Sequence, residues 1–314
     1  MRVLVTGAFG FIGTAVGLRL VLAGHDVVAV TSRPLGAAPA PLFPCQVVRA
    51  DLRDEVSVRA ALTGARPGAV CHLAGLGKVR ESFEHPEDYQ AVNAAGTKTL
   101  VDALAAMAPA AEARFVFASS VAVYGVPERQ PVTEDAPLLP TSPYGDSKVA
   151  AEQAVETAAA GGAIGAVCLR IFNAAGAVAG VADTNLSRVI PKALAVAAGQ
   201  AGHVEVNGDG SAVRDFVHVD DVASAFLLAL EHGCRPGKAG TYNVGATAAS
   251  VAEILAVAGE VTGRPIPVVR NPPRNEPQVL TADHARISAE LGWSPARSAL
   301  RDIIADAWDA VSRS

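Results

Sequence analysis

Apolar positions along the chain fall into two alternating rhythms. Short runs with the character of buried strands occur at Arg2-Val3-Leu4-Val5, His25 to Val30, Gln46 to Ala50, Ala69 to Leu73, Arg114 to Ser119 and Ala166 to Arg170. Between them lie longer stretches with helical spacing, at Thr14 to Gly24, Pro86 to Met107 and Pro143 to Ala160. Strands alternating with helices predict the α/β class, a doubly wound parallel sheet, followed here by a smaller C-terminal lobe. Such sheets bind ligands outside the carboxyl ends of their strands. The polar groups at those ends are Asp51-Leu52 after the third strand, Ala74-Gly75 after the fourth, Ser119-Ser120 at the fifth and Asn173 after the sixth, which predicts that all share one rim. Residues 1–173 are expected to form the sheet domain. Residues 174–314 should form mainly the smaller lobe, drawn from about 174–211 and 235–295, with about 212–234 returning to the main sheet.

Between the first strand and the first helix stands Thr6-Gly7-Ala8-Phe9-Gly10-Phe11-Ile12-Gly13. A glycine-rich turn at that junction lets backbone approach a pyrophosphate, which then rests on the positive end of the helix. The spacing is G-x-x-G-x-x-G rather than G-x-G-x-x-G. The second strand ends in Thr31-Ser32-Arg33, without the acid that usually holds the ribose 2′-hydroxyl of NAD. An arginine there accommodates a 2′-phosphate, so NADP is the expected cofactor and NAD the alternative.

Tyr144 and Lys148, in Ser142-Pro143-Tyr144-Gly145-Asp146-Ser147-Lys148, are four residues apart. On a helix they share one face a turn apart. A nearby ammonium favours phenolate, so Lys148 is expected to draw the tyrosine down from about 10 toward the working range of an acid/base catalyst.

Together with these motifs, His72-Leu73-Ala74-Gly75, Ser119-Ser120-Val121-Ala122-Val123-Tyr124-Gly125, Leu169 to Asn173, Gly208 to Asp221 and Leu291-Gly292-Trp293-Ser294-Pro295 carry a resemblance that runs nearly end to end. The chain resembles the extended short-chain dehydrogenase/reductase family, and within it the nucleotide-sugar branch typified by UDP-glucose 4-epimerase. The resemblance implies a Rossmann NAD(P)-binding domain and a nucleotide-sugar-binding lobe. It implies catalytic roles for Ser120, Tyr144 and Lys148: the serine orients the reacting C–O bond, the tyrosine moves the hydroxyl proton, and the lysine holds the nicotinamide ribose. The cofactor would be held by Gly7, Gly10, Phe11, Ile12, Gly13, Ser32, Arg33, Asp51, Leu52, Leu73, Ala74, Gly75, Asn93, Ser119, Tyr144 and Lys148. The substrate would be held by Ser120, Tyr144, Asn173, Leu186, Arg214, Arg274 and Glu276. Arginine suits a diphosphate because its guanidinium stays charged and pairs phosphate oxygens two at a time. The segment Pro273-Arg274-Asn275-Glu276 is one residue shorter than the Arg-x-Gly-acid of the family, which leaves the register of Glu276 open.

The family's 4,6-dehydratases place Thr-Asp-Glu before the Val-Tyr-Gly motif, where this chain has Ser119-Ser120-Val121-Ala122. Without that acidic pair the elimination has no proton carriers. Two hydride-transfer reactions at sugar C4 remain. One is an NADPH-dependent 4-keto-hexose reductase, toward which Arg33 tilts the expectation; the alternative is an NAD-dependent 4-epimerase. A dinucleotide-binding sensor without turnover is a remoter alternative, since a sensor needs no tuned proton donor.

Composition adds boundaries. The 314 residues are 50% hydrophobic, enough for a large core, and the net charge of −5 with interspersed signs shows no stripe for nucleic acid or membrane. His25, His72, His203 and His218 have no metal-ligand spacing, and no metal is expected. Cys45, Cys71, Cys168 and Cys234 include no C-x-x-C pair. With no signal peptide, free thiols predict a cytoplasmic protein. The expected partner is a UDP- or dTDP-linked sugar, and the family implies a homodimer through the helices at 86–107 and 143–160. Lys78 to Ser82 is expected to be a mobile loop beside the substrate.

Overall fold

The computed structural model describes residues 1–37, 39–107, 113–273 and 277–313. The chain opens β1 (Arg2–Thr6), α1 (Phe11–Leu22), β2 (Asp26–Thr31), β3 (Gln46–Arg49), α2 (Glu55–Ala65) and β4 (Ala69–His72). Next come α3 (Val79–Glu84), α4 (Pro86–Tyr89), a π-helical stretch (Gln90–Ala95), α5 (Gly96–Met107), β5 (Ala113–Ser120), a short 3₁₀ turn (Val121–Tyr124), α6 (Pro143–Ala160) and β6 (Ile164–Ile171). The remainder runs β7 (Asn173–Ala175), β8 (Ala177–Val178), β9 (Val181–Ala182), α7 (Val189–Ala197), β10 (Val204–Asn207), β11 (Val213–His218), α8 (Val219–Leu228) and a second π-helical stretch (Ala229–Gly233). It ends with β12 (Ala239–Val244), β13 (Thr247–Ser250), α9 (Val251–Thr262), β14 (Val268–Asn271), β15 (Val279–Leu280), α10 (Ala285–Leu291) and α11 (Leu300–Ser312).

Among the described residues the main sheet has seven parallel strands in the order β12-β6-β5-β4-β1-β2-β3. The order reverses between β1 and β4, which opens the crevice where doubly wound sheets take their ligands. Near-continuous apolar strands fit this position, because helices cover both faces. Val3, Val5, Val16, Phe226 and Trp293 fill one side, and Leu62, Leu104, Phe115, Val155 and Ile164 the other. Beyond β6, strand β11 pairs with β7, β13 and β15, and a separate core gathers Ile190, Leu194, Phe216, Ile254 and Ile303.

The structure differs from the pattern reading in four places. Strand β12 lies in the interval assigned to the smaller lobe yet pairs with β6 in register from Ala239↔Ala166 to Val244↔Ile171, as the seventh strand of the main sheet. The return of 212–234 to the main domain is made by α8, whose Val222 and Phe226 join the α1 side of the core, while β11 itself belongs to the smaller sheet. The helix expected over 86–107 is interrupted by the π-helical stretch, which no apolar period signals, and Lys78 to Ser82 runs into α3 instead of forming a loop. No helix among the described residues is long and apolar enough to cross a membrane.

Candidate functional site

A cleft of about 1150 Å³ lies between the strand ends of the main sheet and the smaller lobe. Ile12, Leu73, Gly75, Ser119, Ser120, Tyr144 and Lys148 line it from one side, and Asn173, Leu186, Arg188, Arg214 and Phe216 from the other.

Its floor is the crossing of the loops after β1 and β4. Gly7 has φ +68°, which favours glycine, and a Cβ there would stand 2.7 Å from the Ala74 nitrogen. At Gly13 a Cβ would overlap the Gly7 carbonyl. Thr6 Oγ1 accepts from the Leu73 and Ala74 nitrogens at 3.2 and 3.1 Å and contacts His72 Nδ1 at 2.6 Å, tying the two loops together. Buried His72 is driven by desolvation to about 3, so the knot is neutral. Helix α1 starts at Gly10 without a side-chain cap and without an acid in its first turn. A turn with no side chain to obstruct it, at an uncapped positive helix end, fits a dinucleotide pyrophosphate.

The β4 loop is fixed from a second direction. Asn93 Oδ1 accepts from Leu76 N at 2.8 Å, and its amide donates to Leu76 O and Ser147 Oγ at 3.0 Å each. Asn93 lies in the π-helical stretch, a local widening of the kind often seen at functional sites. At the outer edge Asp51 is clamped by Arg53 at 2.7 and 3.0 Å, which holds its carboxyl at about 2. Ser32 and Arg33 are exposed beyond β2, with the Arg33 nitrogen donating to Thr31 Oγ1 at 3.1 Å.

Helix α6 carries Tyr144 and Lys148. Ser142 caps it by accepting from Gly145 N at 3.1 Å, and Pro143 occupies the first turn. Tyr144 and Lys148 therefore face the cleft a turn apart, with Ser120 at the end of β5. The expected effect of the lysine on the tyrosine is not what the structure shows. Lys148 Nζ donates to Ala118 O at 2.8 Å and lies 4.7 Å from the Phe117 ring centre, against 6.0 Å from that of Tyr144. Burial raises the Tyr144 phenol above its usual value, and the opposing influences are hydrogen bonding with Ser120 and the charge of Arg188. Burial also lowers Lys148, to about 8, with Glu152 pulling back.

On the lobe side, Asn173 Nδ2 donates to Asp215 O at 2.7 Å, joining the start of β7 to β11. Arg214 Nη1 donates to Val213 O at 2.9 Å within the cleft wall. Asp215 accepts from the Ala246 and Ala282 nitrogens at 2.6 and 3.0 Å, and Asp220 pairs with Arg19 at 2.7 Å. Leu186 is 50% exposed at the mouth. Arg274 and Glu276 lie outside the described residues.

Sequence reasoning missed three charged residues here. Arg188, at the start of α7, pairs with Asp183 at 2.8 Å and reaches the surroundings of Tyr144. Glu152 and Arg170 form a buried pair directly beneath Ser119. An arginine inside the apolar run Val167-Cys168-Leu169-Arg170-Ile171 was the available signal, because a charge in a buried strand requires a partner.

Comparison with known proteins fixes the family. The pattern of the NAD dependent epimerase/dehydratase family matches residues 3–245. The chain belongs to this family. Among its curated members, UDP-glucose 4-epimerase of Streptomyces lividans is 38% identical over 98% of this chain and 95% of that protein. Among solved structures of the family, UDP-glucose-4-epimerase from Stenotrophomonas maltophila, with bound NAD and formylated UDP-arabinopyranose, superposes with a TM-score of 0.90 at 34% identity, covering 100% of this chain and 99% of that one. UDP-glucose 4-epimerase from Bifidobacterium longum, in complex with NAD+ and UDP, gives 0.89 at 29% identity, covering 100% and 98%. The protein is thus a nucleotide-sugar enzyme of the extended short-chain dehydrogenase/reductase type. Family relatives favour the epimerase alternative over the NADPH-dependent reductase, and NAD over NADP.

Proposed function

We propose that the protein is an NAD-dependent 4-epimerase of UDP-linked hexoses. The observation that carries this reading is the meeting in one cleft of Ser120, Tyr144 and Lys148 with a glycine cradle and with Asn173 and Arg214 across from it, in a chain whose similar proteins hold NAD and UDP-sugars. A bound oxidised nicotinamide would supply the hydride acceptor, and when reduced the hydride donor, for sugar C4.

The residues of this chain supply positioning and proton transfer. Tyr144, as phenolate, takes the C4 hydroxyl proton as C4 is oxidised and gives it back to the same oxygen when C4 is reduced on its other face. Ser120 holds that oxygen. Because burial disfavours the phenolate, Tyr144 depends on the hydrogen bond with Ser120 and on the positive charge of Arg188. Arg214 would pair the diphosphate, leaving the sugar free to present either face. Arg33 lies exposed past β2, and the preference for NAD is supported by the NAD-bound relatives.

The test is to denature the purified protein, identify any released dinucleotide, and follow UDP-glucose and UDP-galactose by chromatography. Interconversion without net NADPH consumption is the expected result. Stoichiometric NADPH oxidation with a 4-keto nucleotide sugar, and no interconversion, would replace the epimerase with the reductase.

A further inference from the structure

Glu152 follows Lys148 by one turn of α6 and is 1% exposed. A carboxylate so placed is costly unless its oxygens are satisfied. Arg170 Nε reaches both of them at 3.0 and 3.2 Å, its Nη2 meets Oε2 at 2.7 Å, and the Ser119 hydroxyl donates to Oε1. Arg170 Nη1 in turn donates to Tyr124 Oη and Glu134 O, each at 2.9 Å, and Tyr124 donates to Asn243 Oδ1 at 2.7 Å. The pair is therefore anchored by β5, β6, β12 and the 3₁₀ turn, and nothing in it touches the cleft except through Ser119 and Lys148.

We propose that Glu152, locked by Arg170, is a positioning residue for the dinucleotide: it accepts the hydrogen bond of the Ser119 hydroxyl and sets a negative charge behind the Lys148 ammonium. This rests on the dinucleotide reading of the cleft. Two chemical consequences follow. With its hydrogen committed to Glu152, Ser119 Oγ faces the cleft as an acceptor, so it selects a ligand group that donates, such as a carboxamide NH2. Lys148, enclosed among the uncharged groups Ala118, Phe117 and Asn93, keeps its proton against burial through the neighbouring carboxylate. The titratable groups around that ammonium are Glu152 and Tyr144 on α6, Cys168 on β6 and His72 on β4, and those around Glu152 are Arg170, Cys168 and Glu156. Of these, Glu152 is the group that supplies negative charge close to Lys148; His72 is neutral and the Cys168 thiol is pushed upward by burial.

The experiment compares the full-length protein with Glu152→Gln, Glu152→Asp and Ser119→Ala. Lysine side-chain carbon NMR is practical with five lysines in the chain, and Lys148→Met assigns the signal. In dinucleotide-free protein, Glu152→Gln should lower the Lys148 titration midpoint by about one pH unit or more, as loss of a close opposite charge does. Ser119→Ala should leave that midpoint in place while weakening NAD binding about fivefold to tenfold, the scale of one hydrogen bond. Glu152→Asp should restore part of both. A Lys148 midpoint unmoved in Glu152→Gln, or NAD affinity unmoved in Ser119→Ala, overturns the proposal. Should Glu152→Gln not fold, Glu152→Asp and Ser119→Ala still decide it. Failure of the unmodified protein to bind NAD would strike the dinucleotide reading instead, a result separate from the Lys148 midpoint.

Discussion

The rim of the main sheet and the wall of the smaller lobe face the same cleft, but the glycine turn at the rim is built of close-packed backbone while the lobe wall presents chiefly side chains. At the rim, Gly7, Gly13 and Gly75 bring loops so close that a Cβ at each would collide with a neighbour, and Thr6, His72 and Asn93 tie those loops from behind. In the lobe, Leu186, Arg188 and Arg214 project from short segments and a helix start. A surface made of backbone is intolerant of substitution and suits a ligand common to a whole family. One made of side chains can vary with the sugar.

That contrast can be broken most strongly at Tyr144, the group that both sides must serve. Tyr144→Phe should lower interconversion about 1000-fold, within the usual range for loss of an acid/base group, while NAD remains bound; turnover assays beside a dinucleotide titration measure both. Next comes the cradle itself. Gly13→Ala should cost roughly 1 to 3 kcal/mol of stability, as overpacking against backbone does, and abolish measurable NAD binding. Gly202→Ala, where a Cβ would meet nothing within 4 Å, should do neither, and calorimetric titration of the two variants makes the comparison.

Across the cleft, Arg214→Ala should raise KM for the UDP-sugar about tenfold, the worth of a charged hydrogen bond, and leave NAD affinity unchanged. An equal loss of both would show that the two walls are not separate in function.

The smallest effect is one of pH. Burial holds Lys148 at about 8 in the folded protein, below the ordinary lysine value of 10.5. Between those values the unfolded chain binds more protons, so the contribution of this lysine to stability rises with pH from about 8 to 10.5, by about 1.4 kcal/mol per unit at most. NAD affinity should fall through the lower end of the same window as the ammonium is lost. Urea denaturation and NAD titration at pH 7 and 9, each measured against Lys148→Met, should give opposite trends.

The two regions were also unequally legible. Gly7, Gly10 and Gly13 between a strand and a helix announce a cradle locally, because the requirement for no side chain is written at the positions where backbone crosses. Tyr144 and Lys148 share a face by helical period alone. The strand-end rim at 74–75, 119–120 and 173 follows from the topology of parallel sheets. Leu186 and Arg214, by contrast, were placed by resemblance, and Arg188 was passed over, since lobe strands as short as β7 and β15 give no period to read.

The sequence by itself determined the alternation of strands and helices, the glycine turn and the facing of Tyr144 with Lys148, all of which are read from local spacing. Only the tertiary structure decided that β12 completes the main sheet, that a π-helical stretch delivers Asn93 to the β4 loop, and that Lys148 answers to Glu152 and Ala118 more than to Tyr144. These depend on what burial brings together across β5, α6, β6 and β12. The charge of a buried group is set by such neighbours, whatever their distance along the chain.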